Sequence, residues 1–225
     1  MGFWLGGFDI VKAFFLFLYV VIKKNIDTII FDFGGVLINI DYHRTIEAFK
    51  ELGIEDFEER YSQADQGSLF TDLEVGKIST QRFVNDLLRS LPSGTSPNKV
   101  VHAWNAMILD VPKSTVDLLK SLQGKYRLFL LSNTNEIHIP KAMSEWKKTS
   151  KDDFYDCFEH VYLSHEMGLR KPNEEIFRRV CVEQNIQPEN ALFIDDSAQH
   201  IIGARKIGLN TFHLTSEIAL SSLFS

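Results

Sequence analysis

The sequence has few cysteines and no surplus of basic residues. Only Cys157 and Cys181 are cysteines among its 225 residues. Two isolated thiols do not make a disulfide scaffold, so we predict a cytoplasmic protein whose thiols are buried as small apolar groups. The formal net charge is -6, and the chain contains no basic cluster of the kind that follows a phosphate backbone. Nucleic acid is therefore not expected as a partner.

Internal repeats and low-complexity tracts are also missing, which argues against repeat and fibrous architectures. The apolar and charged fractions, 44% and 24%, are those of ordinary globular proteins. A chain of 225 residues is long enough to bury a substantial core. We therefore expect one main domain that carries a smaller insertion.

The N-terminus is unusually apolar over residues 3–22, which precede a pair of lysines. As a helix this stretch would be about 30 Å long, the thickness of a bilayer core. The lysines favour a membrane anchor with the following domain on the cytoplasmic side. Asp9 and Lys12 argue against an anchor, because charges inside a membrane are costly unless paired. The alternatives for residues 1–25 are an amphipathic or packing helix and an extension upstream of the true start.

The rest of the chain alternates strand-like and helix-like segments, as α/β proteins with a parallel sheet do. Five short runs rich in apolar or aromatic residues are the candidate strands: Thr28–Phe33, Tyr126–Leu131, His160–Leu163, Ala191–Ile194 and Asn210–Leu214. Residues 42–115 show helical apolar spacing and almost no strand-like alternation. We predict a sheet flanked by helices, formed by residues 26–41 and 116–225, with a helical insertion over its ligand-binding edge.

Helix boundaries can be assigned inside the insertion. One apolar helical face ends at Gly53, a residue type that stops helices. A second helix is predicted over Thr80–Leu91, with Ser79 as its N-cap. The Pro-, Gly- and Ser-containing stretch Leu91–Pro97 is predicted to be a loop.

Asp32 follows the apolar run at residues 29–31 and precedes two glycines. Ligands of open α/β sheets bind at the carboxyl ends of the strands, which is where Asp32 would lie. Asp beside Gly is also ordinary turn chemistry. This segment alone therefore leaves a nucleophile and a simple turn open.

Three further groups of polar residues follow predicted strands or stand in a loop. Ser132 and Asn133 end the second strand, where they could bind a phosphate or cap a helix. Lys171 would supply a point charge that holds a phosphoryl group beside a carboxylate. Asp195 and Asp196 end a buried strand, where adjacent carboxylates repel each other and require a cation. Hard oxygen ligands suit Mg²⁺.

In this order the four segments resemble those of the haloacid dehalogenase (HAD) superfamily of phosphotransferases, and the resemblance covers residues 26–225. It implies a Rossmann-like core with a parallel sheet and an inserted small helical cap. It also implies that Asp32 is the nucleophile and that a phosphate is bound by Ser132, Asn133 and Lys171.

The same resemblance implies a Mg²⁺ site. Its ligands would be the Asp32 carboxylate, the Gly34 carbonyl and Asp196, with Asp195 ligating directly or through water. Most phosphatases of the superfamily carry a second aspartate two residues after the nucleophile, and this chain has Gly34 there. The carbonyl is retained, but the side-chain general acid/base is lost, which is worth roughly 10²–10⁴-fold in rate.

The motif forms resemble a branch that includes bacterial sugar-1-phosphate phosphatases and the N-terminal phosphatase domain of some epoxide hydrolases. We therefore predict a Mg²⁺-dependent phosphatase that acts on a small phosphorylated metabolite through an aspartyl-phosphate on Asp32. Because Gly34 supplies no acid, sugar-1-phosphates, whose leaving groups need little protonation, are the expected substrates. The rivals are a metal-independent 2-haloacid dehalogenase of the same fold and a catalytically retired binding protein.

The insertion is expected to set substrate selectivity, because the four core motifs contact only phosphate and metal. The turn at residues 74–79 could point polar groups at the site. Arg170 could touch the substrate or lie in solvent. The other candidates, for each of which ordinary surface or core packing is the competing interpretation, are His43, Arg44, His102, Trp104 and Asn105.

Overall fold

The computed structural model describes residues 26–60, 68–215 and 219–224. The predicted membrane anchor at residues 3–22 lies outside this part of the chain, so it stays a prediction. Among the described residues, none of the helices has the length and apolar character needed to cross a bilayer.

The core of the protein is a five-stranded, fully parallel sheet with the strand order β3-β2-β1-β4-β5. Its strands are β1 (Thr28–Phe31), β2 (Arg127–Ser132), β3 (His160–Leu163), β4 (Ala191–Asp195) and β5 (Asn210–His213). All five predicted strands are present, with ends that differ by no more than two residues. The predicted α/β fold class is therefore confirmed.

The first strand ends earlier than predicted because the chain turns sharply beyond Asp32. The carbonyl oxygen of Phe33 accepts hydrogen bonds from the backbone N–H groups of Leu37 and Ile38, at 2.8 and 3.0 Å. These bonds close a compact loop in place of a longer strand. The loop leaves the Asp32 side chain at the end of the sheet's central strand.

The two faces of the sheet bury different sets of side chains, because successive residues of a strand point to opposite sides. Ile29 and Phe31 face the larger apolar cluster, which continues into the insertion. Ile30 faces the other cluster, in which Phe177 of a flanking helix meets Phe193 of β4 at a ring-centroid distance of 5.2 Å. Both predicted buried cysteines are buried and unpaired.

Helices cover both faces and fill the insertion. Those between β1 and β2 are α1 (Tyr42–Leu52), α2 (Phe57–Arg60), α3 (Ser68–Glu74), α4 (Thr80–Leu88), α5 (Pro97–Asn105) and α6 (Lys113–Leu122). Those after β2 are α7 (His138–Thr149), α8 (Ser164–Met167), α9 (Glu174–Glu183) and α10 (Ala198–Arg205). We call α1 to α5 the cap. The predicted domain boundary after residue 115 falls inside α6, and the division itself stays a prediction.

Local signals place the ends of the cap helices. Gly53 ends α1 in the left-handed region, with φ at 109°, and the Ser79 hydroxyl caps α4 by accepting from the Arg82 N–H. Helix α4 ends at Leu88 rather than Leu91, because the chain there folds into a turn in which the Leu91 N–H donates to the Leu88 carbonyl. The predicted loop is present, and α5 begins at Pro97.

Aromatic side chains form the centre of the cap. Phe49 and Phe57 stack at a centroid distance of 4.1 Å, and Phe70 meets Phe83 edge to face at 5.7 Å. Trp104 of α5 packs against both Phe70 and Phe83. Large buried aromatic rings contribute much of the stability of such a small core. The cap therefore has a packed aromatic interior that is continuous with the larger apolar cluster of the sheet.

Candidate active site

The carboxyl ends of the three central strands carry the polar residues that the sequence singled out. In the sheet, β1 lies between β2 and β4. Asp32 follows β1, Ser132 ends β2 and Asp195 ends β4, so these side chains meet at one edge. The Asp32 side chain is buried to 9% exposure, which shields it from bulk water.

A buried lysine connects two of these carboxylates. The Lys171 ammonium is completely buried, and Nζ lies 2.7 Å from Asp32 Oδ1 and 2.7 Å from Asp195 Oδ2. Burial by itself lowers the pKa of Lys171, but the charges of Asp195 and Asp32 together hold that pKa above its usual range. The ammonium therefore stays charged beside Asp32, as a phosphate site requires.

The two carboxylates on this lysine differ in their electrostatics. Burial and the nearby charge of Asp195 raise the pKa of Asp32 above its usual range, against the effect of Lys171. Burial also acts to raise the pKa of Asp195, but Lys171 and His200 outweigh it, so the pKa of Asp195 is lowered. Asp195 is thus the fixed counter-ion of the lysine.

Backbone contacts place Lys171 at this position. The Asn133 side chain makes two hydrogen bonds to the backbone of Lys171. The Lys171 N–H donates to Asn133 Oδ1, and Asn133 Nδ2 donates to the Lys171 carbonyl, both at 2.9 Å. The next residue, Pro172, packs against α10 so closely that a Cβ on Gly203 would lie 2.3 Å from its carbonyl oxygen. Helix α9 begins two residues later at Glu174, and the Asn173 side chain is its N-cap.

The structure gives Asn133 a bracing role that the sequence did not predict. Its side chain holds the lysine segment, whereas the sequence analysis assigned it to phosphate binding. Ser132 is buried, and its hydroxyl makes a long hydrogen bond of 3.4 Å to the Asn133 carbonyl. Phosphate binding by Ser132 and Asn133 remains a prediction.

His200 is a site residue that the sequence analysis missed. It lies on α10, and its Nδ1 is 3.0 Å from both carboxylate oxygens of Asp195. The Ser197 N–H donates to the same carboxylate at 2.8 Å. A possible sequence signal was the spacing of five residues between Asp195 and His200, which one turn of helix brings together. The side-chain ligand atoms of Asp32, Asp195 and His200 lie within 4.8 Å of one another.

Asp196, the neighbour of Asp195 in sequence, lies against the glycine turn. A Cβ on Gly35 would lie 2.2 Å from Asp196 Oδ2, and Gly35 has φ at +74°, so both space and backbone favour glycine there. Burial, followed by the charges of Asp32 and Asp195, raises the pKa of Asp196 to about 7. Three carboxylates thus face one ammonium, and the excess negative charge fits a divalent cation with oxygen ligands.

Gly34 lies in the turn between these carboxylates. A Cβ there would lie 3.2 Å from Ile40 Cδ1, the flexible end of a side chain. A small side chain at this position would therefore require the end of the Ile40 side chain to move by a few tenths of an ångström. The Gly34 carbonyl remains available as the metal ligand that the family resemblance implies.

The cap candidates divide into two groups. His43, Arg44 and His102 are exposed, and the first two pair with acidic residues of α1 or its N-cap. Trp104 and Asn105 instead contact the core through His138, which stacks on the indole at 4.9 Å and bonds through Nδ1 to Asn105 Oδ1 at 2.9 Å. Burial lowers the pKa of His138 to about 3, so the imidazole is neutral.

Arg170 does not lie free in solvent, because it pairs with an acidic residue of the cap. Its Nε lies 2.9 Å from Glu74 Oε2 of the cap. A second cap–core contact is a hydrogen bond, in which the Thr80 hydroxyl donates to Glu136 Oε2 at 3.1 Å. The described contacts therefore fasten the cap to the core beside β2 and β3.

The chain is similar to known enzymes over most of its length. The haloacid dehalogenase-like hydrolase family matches residues 26–208. D-ribitol-5-phosphate phosphatase from Bacteroides thetaiotaomicron is 31% identical over 187 residues, which cover 83% of this chain and 91% of that protein. Glyceraldehyde 3-phosphate phosphatase from Pyrococcus furiosus is 26% identical over 201 residues, which cover 84% of this chain and 80% of that protein.

Solved structures show the same relationship. A crystal structure of a variant HAD family enzyme from Bacteroides thetaiotaomicron, in complex with magnesium and inorganic phosphate, has a TM-score of 0.85 and 34% identity. The match covers 89% of this chain and 99% of that chain. Fold, sequence and the arrangement of strand-end residues agree with the predicted family. The chain belongs to the haloacid dehalogenase-like hydrolases.

Proposed function

We propose that this protein is a Mg²⁺-dependent phosphatase that hydrolyses phosphate monoesters of small sugars or polyols through a covalent aspartyl-phosphate on Asp32. The observation that carries the proposal is the buried contact of 2.7 Å between the Asp32 carboxylate and the Lys171 ammonium. A buried carboxylate held beside a fixed cation is poised to meet an anionic phosphoryl group. The named phosphatases among its relatives support the same reaction class.

The reaction proceeds in two displacements. Asp32 attacks phosphorus, a bond forms between its carboxylate oxygen and phosphorus, and the ester bond to the alcohol breaks. The alcohol leaves with its oxygen and takes a proton from water, because Gly34 offers no acid. Water then attacks the phosphoryl group, inorganic phosphate leaves, and the Asp32 carboxylate is regenerated. Splitting one difficult displacement into two lowers each barrier.

The remaining residues stabilise and orient the phosphoryl group. Lys171 neutralises charge on its equatorial oxygens, where charge spreads in the transition state. Asn133 keeps the lysine in place, and Ser132 supplies a hydroxyl at the end of β2. Because the lysine is anchored on Asp195 before the substrate arrives, little reorganisation is needed during the reaction.

The cluster fits Mg²⁺ on the chemistry of its donors. Asp32, the Gly34 carbonyl and Asp196 would hold the ion, and Asp195, which already binds Lys171, would reach it through water. When bound, the ion screens the repulsion between the carboxylates and the incoming phosphate and polarises a phosphoryl oxygen. The magnesium complex of the similar HAD family enzyme supports this cofactor.

Two arguments bear on the substrate and give different rankings. The missing acid at Gly34 favours sugar-1-phosphates, because an anomeric hydroxyl leaves with less need of a proton. The relatives named for D-ribitol 5-phosphate and glyceraldehyde 3-phosphate favour phosphates of primary alcohols. We propose sugar-1-phosphates as the preferred esters. Equal kcat/KM for primary-alcohol phosphates would refute that ranking and leave the phosphatase proposal intact.

The test of the proposed function is phosphate release from a panel of sugar, polyol and triose phosphates, with Mg²⁺ and with EDTA. The wild type is compared with Asp32→Asn and with Asp117→Asn, a matched control at an exposed surface pair. We expect Mg²⁺-dependent turnover in the wild type and the control and none in Asp32→Asn. Turnover that persists in Asp32→Asn would refute the covalent mechanism.

The same panel tests the rival functions. A dehalogenase would release halide from 2-haloacids in EDTA, and an L-2-haloacid dehalogenase with 16% identity and a TM-score of 0.57 shows only that the fold is shared. A retired binding protein would release neither phosphate nor halide. The cation requirement of three clustered carboxylates argues against the first rival, and the intact lysine contact argues against the second.

A further inference from the structure

One turn of the cap touches the core immediately before the catalytic lysine. We call residues 74–79, from the last residue of α3 to the N-cap of α4, the cap turn. Glu74 at its start lies 2.9 Å from Arg170 through Oε2 and Nε. Both side chains are shielded, with 11% of Glu74 and 24% of Arg170 exposed. This ion pair joins the cap to the core within one residue of Lys171.

A backbone contact supports the same placement. Gly76 has φ at +66°, and a Cβ there would lie 2.2 Å from the carbonyl oxygen of His165 on α8. The turn is closed by its own hydrogen bonds, in which the Gly76 N–H donates to Leu73 and the Lys77 N–H donates to Asp72. The cap turn therefore rests directly on the core backbone, with no space for a side chain between them.

The energetics of the pair indicate a positioning role more than a stabilising one. Removing two charges from water costs about as much as their attraction returns, so a shielded ion pair adds little net stability. It does penalise every arrangement in which one partner stays buried without the other. The pair therefore favours one relative placement of cap and core over nearby alternatives.

We propose that Glu74 and Arg170 are positioning residues that align the cap with the phosphate site, and so let the enzyme select substrates by the part beyond the phosphate. The inference rests on the proposed phosphatase function. Lys171 binds the phosphoryl group of the substrate. Its neighbour Arg170, through Glu74, determines the position of the cap relative to Lys171. A sugar phosphate that reaches the cap needs this alignment. A minimal phosphoryl donor such as acetyl phosphate, whose two-carbon acyl group offers little for the cap to bind, does not.

The kinetic test uses Glu74→Gln, Arg170→Gln, the double variant, and the charge reversal Glu74→Arg with Arg170→Glu. Each is assayed with the best sugar phosphate of the panel and with acetyl phosphate. For the sugar phosphate we expect each single variant to lose about 10- to 100-fold in kcat/KM, mainly through KM, as a displaced binding surface would cause. We expect less than about threefold loss for acetyl phosphate.

The double variant and the charge reversal test whether the losses come from the contact between Glu74 and Arg170. The double variant is expected to be no worse than the single variants, because it removes both charges and leaves no shielded charge without its partner. The charge reversal is expected to recover part of the lost selectivity. The matched control is Arg89→Gln, which breaks the pair of 2.6 Å between the exposed Arg89 and Asp86 inside the cap, at the end of α4 that is farther from the cap turn. This control should match the wild type with both substrates.

Equal losses with both substrates, or no loss with either, would overturn the proposal. A structural measurement separates it from the proposed function. Spin labels on Lys99→Cys and Lys147→Cys, both at exposed positions of cap and core, report the distance between the two parts. We expect Glu74→Gln to broaden the narrow wild-type distribution. Broadening in a protein that hydrolyses no phosphate would refute the phosphatase and retain the positioning role, whereas an unchanged distribution would refute the positioning role.

Discussion

Asp196 should destabilise the metal-free protein, and replacing it should make that protein more stable. Asp196→Asn keeps the size of the side chain and removes its charge. Burial and the charges of Asp32 and Asp195 disfavour the ionised form of the Asp196 carboxyl group, and they raise its pKa from an ordinary 3.8 to about 7. An amide has no charge to desolvate, so the variant avoids this penalty.

The magnitude and sign follow from the raised pKa of Asp196. One pKa unit corresponds to about 1.4 kcal/mol, so the rise in the pKa of Asp196 from 3.8 to about 7 would correspond to about 4 kcal/mol without solvent screening. Asp196 is only half-buried, and solvent screening reduces this to about 2 kcal/mol. A group whose pKa is raised by folding costs nothing below its unfolded pKa, and its cost grows as the pH rises from about 4 to about 7. The penalty is therefore complete at pH 7.5.

The assay is urea unfolding in EDTA at pH 7.5 and at pH 5.0. At pH 7.5 the free energy of unfolding of Asp196→Asn should exceed that of the wild type by about 2 kcal/mol, and at pH 5.0 by less than about 1 kcal/mol. Asp117→Asn, at an exposed pair, should match the wild type at both values. With saturating Mg²⁺ the order should reverse, because the ion stabilises only the protein that binds it well.

Two results would refute this reasoning. If Asp196→Asn is no more stable than the wild type in EDTA at pH 7.5, then Asp196 is not under electrostatic strain. If the variant gains the same stability from Mg²⁺ as the wild type, then Asp196 is not a ligand of the ion. Either result would require a different assignment for the second acidic residue of the pair.

Three other expectations can be tested on the same protein. Asn133→Leu removes both hydrogen bonds that hold the Lys171 peptide and should lower kcat about 10²-fold with little change in the KM for the preferred ester, measured by phosphate release. Cys157 and Cys181, whose pKa values burial raises to about 11, should resist iodoacetamide at pH 7.5 in native protein and react in urea, as mass spectrometry would show. Gly34→Asp should raise kcat for primary-alcohol phosphates about 10²-fold and hardly change that for acetyl phosphate, and equal effects on both would refute the missing acid as the cause.

The two adjacent carboxylates at the end of β4, Asp195 and Asp196, have different surroundings. Asp195 has a lowered pKa and is engaged by Lys171, His200 and the Ser197 N–H. Asp196 has a raised pKa and lies against the glycine turn. Their environments, not their residue type, make one the partner of the lysine and leave the other against the glycine turn, where we propose that it holds the cation. This division would explain why two charged residues occur together at the end of a buried strand.

The sequence by itself determined the sheet and the identity of the strand-end residues. Short apolar runs such as that before Asp32 form buried parallel strands, and the carboxyl ends of such strands share one edge. Gly53 and Ser79 also marked helix ends correctly, because capping depends on local backbone geometry and on one nearby hydrogen bond. Local signals of this kind can be recognised without knowing what else packs nearby.

Tertiary structure alone decided the partners of these residues. Asn133 braces Lys171 across 38 positions of sequence, and Lys171 reaches Asp195 across 24. Likewise Arg170 pairs with Glu74 because the cap folds back over the sheet. Such contacts depend on how separate elements dock, and docking is set by shape and burial across the whole core. A linear pattern can therefore name the reactive groups, while the packed structure determines which of them hold, orient and neutralise the others.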